Sequence, residues 1–184
     1  MAWTAPMTAV PGSPLTAAQF NTYVRDNLLE TEAAKANFTG NMLITTGANA
    51  ITARNCFRSR TLTASTTSST TYTGLDSGGG PTVTVTTGTT ALVWVATWME
   101  NTAPSNATMA SVSVSGATVV AASDTNMVAM QGLSASPPTP NSVRYGVTYR
   151  FTGLTPGVNT FTMEYRVSGG TGTFSNRELL VMAL

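Results

Sequence analysis

The sequence predicts a mainly β protein: an antiparallel β-sandwich, jelly-roll-like, preceded by an N-terminal extended arm and one α-helix. Three observations carry this expectation. A single capped, amphipathic helical segment precedes a long run rich in Thr, Ser, Gly and Val. That run alternates with period two and is cut by Gly and Pro turns at roughly ten-residue intervals, the pattern of a sandwich or barrel. The chain is also 42% hydrophobic and only 9% charged, the reverse of a disordered composition. The expected organisation is an arm and helix over 1–40, a linker with short strands over 41–56, and a sandwich over 57–184.

The arm, residues 1–14, contains Trp3, Pro6, Pro11, Gly12 and Pro14. Proline fixes φ and removes backbone donors, which opposes both helix and central strand. A Trp in such an arm is expected to pack into a groove or onto the helix. The helix starts at Thr16, where Thr16-Ala17-Ala18-Gln19 reads as a capping box and Leu15 is placed to staple onto Phe20. Phe20, Val24 and Leu28, with Tyr23 and Leu29 beside them, form a narrow apolar stripe at three- and four-residue steps. The helix is expected to end near Ala36. A narrow stripe suits a helix facing identical helices or a sheet edge.

Short strands are expected at 41–45 and 50–53, then at 57–64, 70–73, 81–86 and 92–99. In the last of these Leu92, Trp94, Ala96 and Trp98 share one face and Val93, Val95, Thr97 and Met99 the other. A strand apolar on both faces is central or covered at an interface. Further strands are expected at 108–114, 117–122, 126–131, 143–151, 161–167 and 178–184. The segments 74–81 and 134–141 read as loops from their turn residues.

The composition also excludes functions. There is no His, so Ser-His-Asp, Cys-His and His-metal sites are absent. The eight acids give no evident dyad, and no metal or cofactor site is expected. The single cysteine, Cys56, permits no internal disulfide and is expected as a small buried hydrophobe. Nine basic residues are scattered rather than clustered, which argues against a nucleic-acid partner. No signal peptide and no apolar window long enough for a membrane span is read, so synthesis in a cytoplasm and no membrane partner are expected. Near-neutral net charge, +1, is compatible with self-association.

Trp94, Trp98, Tyr145, Tyr149 and Tyr165 have two readings, a sugar-stacking platform or a filled core or subunit seam. Arg144, Arg150, Glu164 and Arg166 fall on polar strand faces and read as cross-strand ion pairs.

Trp3-Thr4-Ala5-Pro6, Val10-Pro11-Gly12, Leu15-Thr16-Ala17-Ala18-Gln19-Phe20-Asn21 and Val24-Arg25-Asp26-Asn27-Leu28 together resemble the opening of many virion structural proteins of tailed bacteriophages. The ending Thr173-Phe174-Ser175-Asn176-Arg177-Glu178-Leu179-Leu180-Val181 is similar to the last strand of their β modules. The resemblance implies a non-enzymatic protein at the virion surface. It implies a capsid decoration or minor tail protein, commonly a homotrimer, attached to major capsid or tail proteins by its N-terminal segment. Trp3, Phe20, Tyr23, Val24 and Leu28 are then the expected attachment or oligomer residues. The alternative is a host-attachment module that binds a surface glycan or receptor, with Trp94, Trp98 and Tyr145 as the contacts.

Overall fold

The computed structural model describes residues 4–5, 7–8, 10–29, 31, 41–48, 50–75, 80–131 and 142–184. The chain divides into two compact units, Met1–Asn55 and Cys56–Leu184.

In the first unit the expected capping box is present. The Thr16 Oγ1 accepts from the Gln19 amide at 3.2 Å, and the Gln19 Oε1 accepts from the Thr16 amide at 2.9 Å. The helix runs as α1, Ala17–Phe20, one wide turn over Asn21–Arg25, and α2, Asp26–Leu28. In the wide turn the Asp26 amide donates five residues back, to the Asn21 carbonyl. The expected continuation to Ala36 lies outside the described residues. The two short strands expected within the linker pair as a hairpin: β1, Met42–Gly47, runs antiparallel to β2, Ala50–Arg54, with Leu43 opposite Ala53 and Ile44 opposite Thr52.

The second unit is a two-sheet sandwich. Its strands are β3 (Cys56–Thr61), β4 (Ser65–Thr67), β5 (Thr82–Thr87), β6 (Thr90–Asn101), β7 (Ala107–Gly116), β8 (Val128–Gln131), β9 (Val143–Thr152), β10 (Gly157–Val167) and β11 (Gly172–Ala183). One sheet has the order β3-β11-β6-β9, with β4 also on β11, and the other has β5-β10-β7-β8. All pairings are antiparallel. Pairs β3·β11, β5·β10, β6·β9 and β7·β8 are those made when one long antiparallel ribbon is rolled over two layers. The strand order is thus that of a jelly roll.

Alternation decides which side chains enter the core. In β5 Val83 and Val85 are buried while Thr82, Thr84 and Thr86 are exposed. In β6 Ala91, Val93, Val95, Thr97 and Met99 face inward and are fully buried. They meet Val112, Val114, Phe161, Met163 and Tyr165 from the opposite sheet. Edge-to-face pairs Phe151–Phe161 (5.8 Å) and Tyr165–Phe174 (4.7 Å) stand between the layers.

Each end of the sandwich is closed by a buried asparagine. The Asn159 Nδ2 donates to Thr87 Oγ1 (2.8 Å) and the Thr155 carbonyl (3.1 Å), and its Oδ1 accepts from the Thr118 amide (2.8 Å). Asn101 does the same for Thr108, Gly169 and Ala103 at the other end. Such side-chain amides satisfy loop backbone that water cannot reach.

Several elements differ from the sequence reading. Residues 70–73 form a single bridge, Thr73 to Tyr165, and 117–122 another, Val120 to Val114. Each segment meets a stretch of strand edge beyond the end of its neighbour, since β5 pairs with β10 only as far as Thr162 and β8 with β7 only as far as Ala110. The terminal strand begins at Gly172 rather than 178, and a bulge between Ser175 and Glu178 reverses its alternation. Asn176 sits at φ 48 in that bulge. Cys56 is exposed, not buried. It begins an edge strand opposite Met182, on the outward face of the sheet.

Candidate functional site

Two surfaces hold the residues singled out from sequence. The first is the N-terminal helix with its arm. Thr4 is held to this helix through its backbone. Its amide donates to Asn27 Oδ1 (2.8 Å), and its carbonyl accepts from Asn27 Nδ2 (2.9 Å). The same Nδ2 also donates to the Tyr23 carbonyl (3.1 Å). Asn27 thus offers one donor and one acceptor to a single residue, as a neighbouring strand would. Asn27 is 3% exposed, the one buried residue among the described residues of the helix.

The apolar stripe does the opposite. Phe20 is 49% exposed, Val24 38% and Leu28 60%, with Tyr23 intermediate. Leu15 lines a shallow hollow with Val10, Pro14 and Gln19. Arg25 and Asp26 pair at 2.8 Å on the exposed side. Trp3 lies outside the described residues.

The second surface is the outer face of the β3-β11-β6-β9 sheet. Register sets its rows: Cys56, Met182, Leu92 and Arg150; then Arg58, Leu180, Trp94 and Thr148; then Arg60, Glu178, Ala96 and Gly146; then Ser175, Trp98 and Arg144. Glu178, 8% exposed at the side chain, accepts from both edges of the sheet. Its Oε1 meets Arg58 Nε at 2.9 Å and its Oε2 meets an Arg144 terminal nitrogen at 3.1 Å. The inward-turned neighbour Arg177 is fully buried and lies 5.6 Å from the Tyr165 ring centre. The bulge sets which of these two consecutive charged residues turns inward.

Trp94 and Trp98 therefore point outward. Trp98 is 42% exposed, and its indole nitrogen donates to Ser142 Oγ. Trp94 rests on Gly146, where an added Cβ would stand 3.2 Å from the indole nitrogen. Tyr145 is not with them. It pairs with Thr97 and so belongs to the opposite face, exposed at the sheet edge. Tyr165 is core, and the Tyr149 hydroxyl donates to the Met127 carbonyl. The loop residues 76–79 and 132–141 lie outside the described residues.

The expected ion pairs form with other partners. Arg144 joins Glu178, and Arg166 joins Asp124 through a two-pronged contact at 3.1 and 2.6 Å. Tyr72 donates to the same carboxylate at 2.8 Å, and the Arg166 guanidinium lies 5.3 Å from its ring centre. The Arg166 hydrogen bonds hold the Asp124 carboxyl below its ordinary range, with Tyr72 adding to the effect. Burial, then the Asp124 hydrogen bond, pushes the Tyr72 phenol up to about 12. This trio clasps the segment before β5 and the turn before β8 onto β10. No group of three or more His, Cys, Asp or Glu able to hold a metal occurs among the described residues. No helix among them is long and apolar enough to cross a membrane.

Neither a family model nor a curated protein matches the sequence. Among solved structures, the chain is similar to that of the infectious bursal disease virus Gx strain, at TM-score 0.47 and 14% identity. That alignment covers 76% of this chain and 36% of the viral one. The VP2 subviral particle of the same virus gives TM-score 0.43 at 14% identity, again covering 76% and 36%. Eiger TNF from S. frugiperda gives 0.34 at 13%, covering 68% of this chain and 94% of that one. These scores are low, and the jelly-roll assignment rests on the strand order within this chain.

Proposed function

We propose that the protein is a non-enzymatic structural component of a tailed-phage virion, a trimeric decoration or minor tail protein. On this reading the N-terminal unit docks to major capsid or tail proteins, and the jelly roll is displayed at the virion surface. The observation that carries it is the inverted helix. Its apolar row, Phe20, Val24 and Leu28, faces solvent, while its one buried residue among those described is Asn27. Leaving three large apolar side chains about half exposed in a row forgoes roughly half of the ~1.5–3 kcal/mol that full burial brings each, and a binding surface recovers it. The phage assignment itself rests on the resemblance of the segments joined here, Thr4-Ala5 and Val24 to Leu28. The absence of His supports a role without catalysis.

Sedimentation of the purified chain and immunogold labelling of particles test this. A trimer that labels particles is expected, and deletion of residues 1–36 removes labelling while the sandwich still melts cooperatively. A strictly monomeric chain absent from particles would overturn the proposal.

A further inference from the structure

We propose that the outer face of the β3-β11-β6-β9 sheet is a binding site for an anionic saccharide, centred on Trp94 and Trp98. This goes beyond the virion role and does not depend on it.

Charge on this face is uneven. It holds four of the nine basic residues, Arg58, Arg60, Arg144 and Arg150, against Glu178 at its centre and Glu100 at its far end. The rest of a near-neutral chain is left slightly acidic. All four arginines are exposed. Glu178 fixes Arg58 and Arg144 through one nitrogen each, and a guanidinium has five donors, so most of their hydrogens remain for a ligand. Arginine forks match carboxylate and phosphate oxygens.

The two indoles supply the apolar half. Gly146 seats Trp94 and Ser142 pins Trp98, so each ring already has a set orientation. They stand four residues apart on one strand, about 13 Å at the usual rise. Ala96, buried, and Gly146, beneath the Trp94 ring, add no large side chain between them. Flat C–H-rich ring faces stack on such indoles, and pre-set side chains lose little entropy on binding.

Charge decides against a second copy of the chain, since like faces would set arginines against arginines. Two or three acidic sugar rings match both the charge and the ~13 Å between the indoles.

The test is titration of the full chain with a trigalacturonate, a phosphorylated trigalactose and a neutral trigalactose, read by calorimetry and Trp fluorescence. At least one anionic probe binds ten-fold or more tighter than the neutral sugar, and its affinity falls as salt rises. Which anionic probe is preferred tells carboxylate from phosphate. Trp98→Ala and the double variant Arg60→Gln/Arg150→Gln each weaken it ten-fold or more with an unchanged melting temperature. Equal binding of the neutral sugar, no binding of either anion at millimolar concentration, or an unaffected Trp98→Ala variant would overturn the proposal. So would Trp98→Ala dissociating an oligomer, which would assign the face to a second copy.

Discussion

The two units of this chain place their apolar side chains in opposite ways. In the sandwich Val93, Val95, Phe161, Met163 and Phe174 are fully buried, and β5 turns Thr82, Thr84 and Thr86 outward. In the N-terminal helix the buried side chain is an asparagine and the exposed ones are Phe20, Val24 and Leu28. One unit builds its core from such residues and leaves others, Trp98 among them, at its surface. The other holds itself with caps and amide hydrogen bonds and leaves its apolar surface free. The difference separates residues that make the fold from residues that make an interface, and each class has its own test.

The largest contrast is between core and row. Phe161→Ala empties space beside Phe151 and is expected to cost about 3–5 kcal/mol in chemical denaturation of the sandwich. A triple change of Phe20, Val24 and Leu28 to Ser is expected to alter that stability by less than about 0.5 kcal/mol. It should nonetheless remove the protein from particles. If the triple variant unfolds the chain, the row is core after all and the contrast fails.

A smaller expected effect comes from Gly172, at the start of β11. A Cβ there would stand 2.6 Å from Val167 Cγ1 and 3.1 Å from Thr108 Cγ2. Gly172→Ala is therefore expected to cost about 1–3 kcal/mol by overpacking. An equally stable variant in a thermal melt would show that this end of the sandwich is looser than its packing implies.

Comparable in size but local is the clip between arm and helix. Asn27 reads only the backbone of Thr4, so the Thr4 side chain should not matter. Thr4→Ala is expected to leave amide exchange in the helix unchanged. Thr4→Pro, which removes the donated N–H, and Asn27→Ala should both release the arm, at about 1–3 kcal/mol. Hydrogen exchange at residues 4–28 measures this. Silence of Thr4→Pro would mean the arm is held by something other than Asn27.

What was legible from sequence follows the same division. Alternating Thr and Val in β5 and the capping box at Thr16 announce themselves because local chemistry and final environment agree. The parity of β11 was not legible. A bulge at Asn176 turns Arg177 inward and Glu178 outward, and no periodic pattern encodes a one-residue insertion. Tyr145 looked like a companion of Trp94 and Trp98, yet one step of register sets it on the other face. Asn27 looked like an ordinary polar helix residue, because its partner lies 23 residues away. The sequence signal for it was the co-occurrence of Thr4 and Asn27 in segments that share one resemblance.

The smallest expected effect is a titration, and it tests the clasp that holds loops to the outside of the sandwich. Tyr72, with its phenol raised to about 12, should ionise well after an unperturbed tyrosine, near 10. Absorbance of phenolate should therefore show a late phase that Tyr72→Phe removes. The sign for stability follows from which state binds protons. A folded phenol that keeps its proton longer than the unfolded one stabilises below pH 10, and this contribution is lost as pH rises toward 12. Asp124 runs the other way. Its lowered carboxyl stabilises above the ordinary carboxylate range and gives that up as pH falls through its folded value. Asp124→Ala deprives Arg166 of its charged partner and Tyr72 of its acceptor. It should bring the late phase back toward pH 10 and flatten the acid limb. A late phase that persists in Asp124→Ala would mean that burial alone, the larger of the two causes, sets the Tyr72 phenol.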